Sequence, residues 1–131
     1  MKIALLSQMG FTGKIPRNHP NMRTEFAQMC ALNADHYPLY DVDKITEGYD
    51  HIILMIPKTQ KDRDSLYNID IVKKARRVGK YVWFMQEGPN WIFQDLPIHQ
   101  QFWHYNVLME VDGILTENRS DIPYFRGLVG G

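Results

Sequence analysis

Cysteine is almost absent. The 131 residues hold a single one, Cys30, which excludes an intrachain disulfide. It falls on the apolar side of a predicted helix with nothing nearby to lower its pKa, so it reads as a buried structural thiol. Net charge is absent too: Lys plus Arg total 15 and Asp plus Glu total 15. That balance removes the global electrostatic case for nucleic-acid or membrane binding and leaves only a local basic patch open. No apolar run approaches the ~20 residues of a membrane span. The first ten residues turn polar too soon for a secretory signal. With the lone thiol, this points to a cytoplasmic setting. A metal-ligand spacing is also missing. His19, His36 and His51 are isolated, and His99 and His104 are five apart rather than four, so no metal site is expected.

What is present is a rhythm. Five short apolar runs, residues 3–6, 36–40, 51–56, 81–85 and 113–116, each stop at a polar or glycine-containing stretch. Helix-patterned segments fill most gaps between them. This alternation predicts a doubly wound Rossmann-like three-layer α/β/α sandwich with a parallel sheet of about five strands. The length suits a single domain over residues 1–131, and the 44% apolar content is ordinary for a globular chain.

The intervening segments carry their own signals. A helix over 22–32 is capped by Asn21, with Met22, Phe26, Met29 and Cys30 at helical spacing. A second is capped by Asp64 or Ser65, with Leu66, Ile69, Val72 and Ala75 inward and Lys73, Lys74, Arg76 and Arg77 facing water. Gly79 stands where a helix C-cap belongs. The basic cluster suits the helix macrodipole and reads as a solvated terminus. Residues 81–85 are apolar throughout, as in a central strand. A third helix, capped by Asp95 with Pro97 in its first turn, repeats Ile98, Phe102, Tyr105 and Met109 along one face. Ser120 or Asp121 caps a last short helix bearing Ile122, Phe125 and Leu128.

In such sheets ligands bind beyond the carboxyl ends of the strands. That directs attention to residues 7–23, 57–63, 86–91 and 117–120. Gln86-Glu87-Gly88-Pro89 is the leading candidate. A carboxylate after a central strand can be positioned as a general base, and Gly88 lets the backbone approach a ligand. A solvated turn is the plainer reading of the same residues. Ser7, Gly10, Gly13, Lys14, Arg17 and Arg23 lie in or beside the first loop, where backbone N–H groups can meet an anion or a sugar. So long a loop in a compact domain is usually functional. It has neither dinucleotide-fingerprint spacing nor a P-loop ending, since Gly13-Lys14 is followed by Ile15. Asn90 and Trp91 extend the third candidate segment, and an aromatic there can stack on a sugar or base. Glu117, Asn118 and Arg119 either line the same cleft or form a helix-entry turn.

Taken together, Lys2-Ile-Ala-Leu-Leu-Ser7, Tyr49-Asp-His-Ile-Ile-Leu54, Tyr81-Val-Trp-Phe-Met-Gln-Glu-Gly88 and Val111-Asp-Gly-Ile-Leu-Thr-Glu-Asn118 resemble the N-terminal Rossmann-like half of a GT-B-type glycosyltransferase. The likeness covers nearly the whole chain and is one of fold and order more than signature. A narrower similarity is to phage DNA β-glucosyltransferases, in the chain start, Tyr49-Asp50, and the strand leading to Gln86-Glu87. The catalytic aspartate of that family meets Gln86 here, or Glu87 after a one-residue shift. The resemblance implies an acceptor-binding half of a hexosyltransferase. Glu87 would deprotonate a hydroxyl of a sugar, glycan or hydroxylated nucleobase. Residues 7–14 with Asn90 and Trp91 would shape the acceptor cleft. No cofactor would be held tightly, and the nucleotide-sugar donor would sit mainly on a C-terminal half, without which the chain would be nearly inactive.

Two other classes fit the residues. One is a self-contained flavodoxin-like binding or signalling module, though the acidic pair and phosphoacceptor aspartate of a receiver are missing. The other is a nucleic-acid contact domain using Lys14, Arg17, Arg23, Lys58, Lys61 and Arg63. The apolar stretch at 122–129 also suggests a surface covered by a second domain or a homodimer.

Overall fold

The computed structural model describes residues 1–7, 31–55, 69–85, 97–116 and 119–129. Apolar runs rich in Ile, Leu, Val and aromatics form β1 (Ile3–Ser7), β2 (Asp35–Pro38), β3 (Tyr49–Met55), β4 (Gly79–Met85) and β5 (Gly113–Leu115). They make one sheet in the order β2-β1-β3-β4-β5 with every pair parallel. The α/β Rossmann-like expectation is met, and each strand lies within two residues of its expected place. Helices α1 (Ile69–Arg76), α2 (Ile98–Glu110) and α3 (Ile122–Val129) accompany the sheet. Two 3-10 turns, Leu39–Lys44 and Arg119–Asp121, complete the described elements.

Strand side chains alternate between two faces. On the first, Ala4, Leu6, Ile52, Leu54, Val82 and Phe84 pack with Val72 and Ala75 of α1, Val107 and Leu108 of α2, and Phe125 of α3. All three described helices therefore share one face. On the second, Leu5, Ile53, Met55 and Met85 cluster with Ile3, Trp83 and Leu115. Leu6, Ile52, Leu54 and Phe84 are fully buried, and each such side chain contributes roughly 1.5–3 kcal/mol by leaving water.

Three local expectations are corrected. Gly79 does not cap α1. The helix ends at Arg76 and unwinds through i→i−3 bonds, from the Arg77 amide to Lys74 O (3.2 Å) and from the Val78 amide to Ala75 O (3.1 Å). Gly79 opens β4, where a Cβ would lie 2.2 Å from Ile52 Cγ1; close packing against Ile52 demands the glycine. The basic end of α1 is solvated as read: Lys73, Arg76 and Arg77 are exposed, and at the surface Arg76 Nη1 donates to Asp112 Oδ2 (2.9 Å) and Lys74 pairs with Asp43 (3.1 Å). Pro97 is itself the N-cap residue of α2, with no side-chain cap bond. Finally, the stripe Ile98, Phe102, Tyr105 and Met109 faces outward, while His104, Val107 and Leu108 make the buried face. The expected helix over 22–32 ends as read: Ala31 and Leu32 are helical and Asn33 follows with φ 52°, a conformation asparagine tolerates at a helix end.

Candidate functional site at the carboxyl rim

The register lays the strands out in level rows. Leu6 pairs with both Tyr37 and Leu54, Leu54 with Phe84, and Phe84 with Ile114. The next row is Pro38 beside Ser7 on one side, and Met55, Met85 and Leu115 in register on the other. All five strands thus end at one rim, and the point where the order reverses, between β1 and β3, lies on it. At such a point diverging connections open a crevice.

Two candidate site residues, Ser7 and Arg119, are within the described residues, and Arg119 opens the 3-10 turn Arg119–Asp121; Ser7 is the one at the end of a strand. It ends β1, and its fully buried hydroxyl bonds Nε2 of the fully buried His36 on β2 (2.5 Å). The hydroxyl ties the two strands together just beneath the rim. Sequence reasoning placed Ser7 at the rim but missed this partner. His36 is 29 residues away, and only the β1–β2 pairing brings the two together. Gly10, Gly13, Lys14, Arg17, Gln86, Glu87, Gly88, Asn90, Trp91, Glu117 and Asn118 lie outside the described residues, as do Arg23, Lys58, Lys61 and Arg63.

The opposite, amino-terminal rim is occupied by structural bonds. The Lys2 amide donates to Asp50 Oδ2 (2.8 Å), which holds that carboxyl below the usual carboxylate range. Lys2 Nζ reaches Glu47 (2.7 Å) and lies 4.8 Å from the Tyr49 ring centre. Tyr49 donates to Asp35 Oδ2 (2.8 Å) and shares a 2.8 Å bond with Tyr37 Oη. Burial first, then those bonds, push the Tyr49 phenol far above its ordinary value. Asp112 accepts from the Val82 amide (2.8 Å) as well as from Arg76. Burial pushes its carboxyl up, but the amide and the guanidinium outweigh that and hold it low. Its side chain extends the β4–β5 ladder by one rung. An aspartate just before a strand was the only sequence signal for this role.

Among the described residues, no group of three or more His, Cys, Asp or Glu could hold a metal ion. No helix there is long and apolar enough to cross a membrane. A cavity of about 600 Å³ lies away from the switch point. It lies on the flank of β5, lined by Met109, Ile114, Ile122 and Phe125 among others. Compared with known proteins, the chain matches no family model, no curated protein and no solved structure.

Proposed function

We propose that this chain is the acceptor-binding domain of a glycosyltransferase that moves a sugar from a nucleotide-sugar to a hydroxyl acceptor. The observation that supports the reading best is the level carboxyl rim. The chain leaves β1, β3, β4 and β5 at one edge, and the segments that carry the glycosyltransferase resemblance are these strands together with residues 86–88 and 116–118 just beyond β4 and β5. The other rim carries the Lys2–Glu47 ion pair and the Tyr49 hydrogen bonds, beside an open hollow of about 560 Å³ lined by Lys2, Tyr49, Asp50, Arg76 and Lys80 among others. In this reading Glu87, two residues past β4, is the general base, and Asn90 and Trp91 contact the acceptor. The donor phosphates are bound mainly by a second domain.

The strand order 2-1-3-4-5 also favours a second reading, a flavodoxin-like binding module, since that fold shares it and places its ligand at the same β1/β3 switch point. Calorimetric titration with neutral sugars, short glycans, a hydroxymethylated nucleoside and flavin mononucleotide separates the two. Binding of a sugar, glycan or hydroxylated nucleoside is expected, weakened by Trp91→Ala. Binding of the flavin alone would replace the first reading with the second.

A further inference from the structure

The flank of the sheet beyond β5 leaves three features uncovered. On α2, Ile98 is 70%, Phe102 62%, Tyr105 38% and Met109 49% exposed. Their spacing of four, three and four is the repeat of a seam that receives a second helix. Among the described strands, β5 is paired on one side only, through Trp83↔Gly113, Phe84↔Ile114 and Met85↔Leu115. Its other side presents a row of backbone donors and acceptors. Between the two runs the 600 Å³ groove, lined by the apolar Met109, Ile114, Ile122 and Phe125 with Asp112 and Arg126 among others. Met109 belongs to both seam and groove, so the seam runs into the groove at its C-terminal end, and the groove reaches the β5 edge.

A lone helix would cover the seam and leave the strand edge open. A lone strand would do the reverse. A second copy of the same face brings a helix and a strand edge in one relative placement. Charge agrees: α2 carries one ionic side chain, Glu110, along its thirteen residues. Two copies of the seam therefore meet without repulsion, and nothing on the helix selects a partner of opposite sign. Size agrees as well. The four seam side chains expose on the order of 100 Å² each. That is about half of the ~800 Å² per partner of a standard interface, leaving the groove and strand edge to supply the rest.

We propose that this face joins two copies of the chain about a twofold axis, α2 against α2 and β5 beside β5. The inference is independent of which ligand the carboxyl rim binds. Sedimentation equilibrium of the 131-residue chain, from low to high micromolar, tests it. The expected mass rises from 15.4 kDa towards twice that value. Phe102→Glu and Ile98→Glu, both at exposed positions, should hold the monomer at concentrations where the parent is dimeric, with unchanged far-UV circular dichroism. Tyr105→Cys, near the midpoint of α2 where the axis passes, should cross-link to its own copy under mild oxidation. A parent that stays monomeric throughout overturns the proposal, as does a dimer that survives both glutamates. Should one glutamate variant fail to fold, the other and the cross-link decide.

Discussion

Replacing Gly79 by alanine probes the packing of the sheet at its most confined described point. The new Cβ would sit 2.2 Å from Ile52 Cγ1 and 3.3 Å from its Cβ. Ile52 is fully buried and β-branched, so its side chain has few alternative rotamers to retreat into. Overpacking of this kind costs about 1–3 kcal/mol. With a urea m-value of about 1–3 kcal/mol/M, a 2 kcal/mol loss lowers the denaturation midpoint by roughly 1 M with m unchanged. Gly48→Ala is the matched control: nothing lies within 4 Å of its added Cβ, and the variant should be neutral or about 0.4–1 kcal/mol more stable. Asparagine at position 79 separates packing from capping. At a left-handed helix cap it would be the mildest substitution, whereas against Ile52 it should be at least as harmful as alanine. Ile52→Ala removes the clashing carbon, so the double variant with Gly79→Ala should be less destabilised than the two singles added together. Simple additivity of the pair, or an asparagine milder than alanine, would refute the close-packing argument.

Other perturbations follow from the polar bonds. Asp112 has its carboxyl held low, so its stabilisation is present above the ordinary carboxylate range and is lost as pH falls through the lowered value. Asp112→Ala should lower stability at pH 7 and flatten the acid limb of a midpoint-versus-pH curve; an unchanged limb would contradict the assignment. Tyr49 has its phenol pushed up, so its contribution is full below the ordinary tyrosine value of about 10 and fades above it. Tyr49→Phe should cost about 0.5–1.5 kcal/mol at neutral pH, and ultraviolet titration should show one fewer tyrosine ionising only on alkaline unfolding. Ser7→Ala, which removes the bond to buried His36, should cost about 1–3 kcal/mol, measured by urea denaturation at pH 8.

The strands were legible because each is an apolar run bounded by polar or glycine residues, and β1, β3, β4 and β5 followed directly. The burial of α2 was not. Its outward stripe, Ile98, Phe102, Tyr105 and Met109, is as apolar as a core face. Its inward side carries His104, whose T-shaped contact with Phe84 (5.7 Å) depends on the sheet beneath it. Hydrophobic spacing cannot rank two apolar stripes on one helix. Gly79 misled for a related reason, since glycine serves a helix cap and a close approach equally well. Ser7 was legible as a rim residue because it follows a strand. Its bond to His36, like that of Asp112 to the Val82 amide, depends on which strands pair, and that order cannot be counted along the chain.

Amide chemical-shift mapping locates a ligand at the carboxyl rim residue by residue. The 131-residue chain, labelled with nitrogen-15, would be titrated with the tightest-binding sugar, glycan or hydroxylated nucleoside. Binding at the rim should shift Ser7, Met55, Met85, Leu115 and Thr116 and leave Lys2, Gly48, Asp50 and Lys80 unmoved. Shifts gathered on that second group, or on the β5 flank around Ile122, would contradict it.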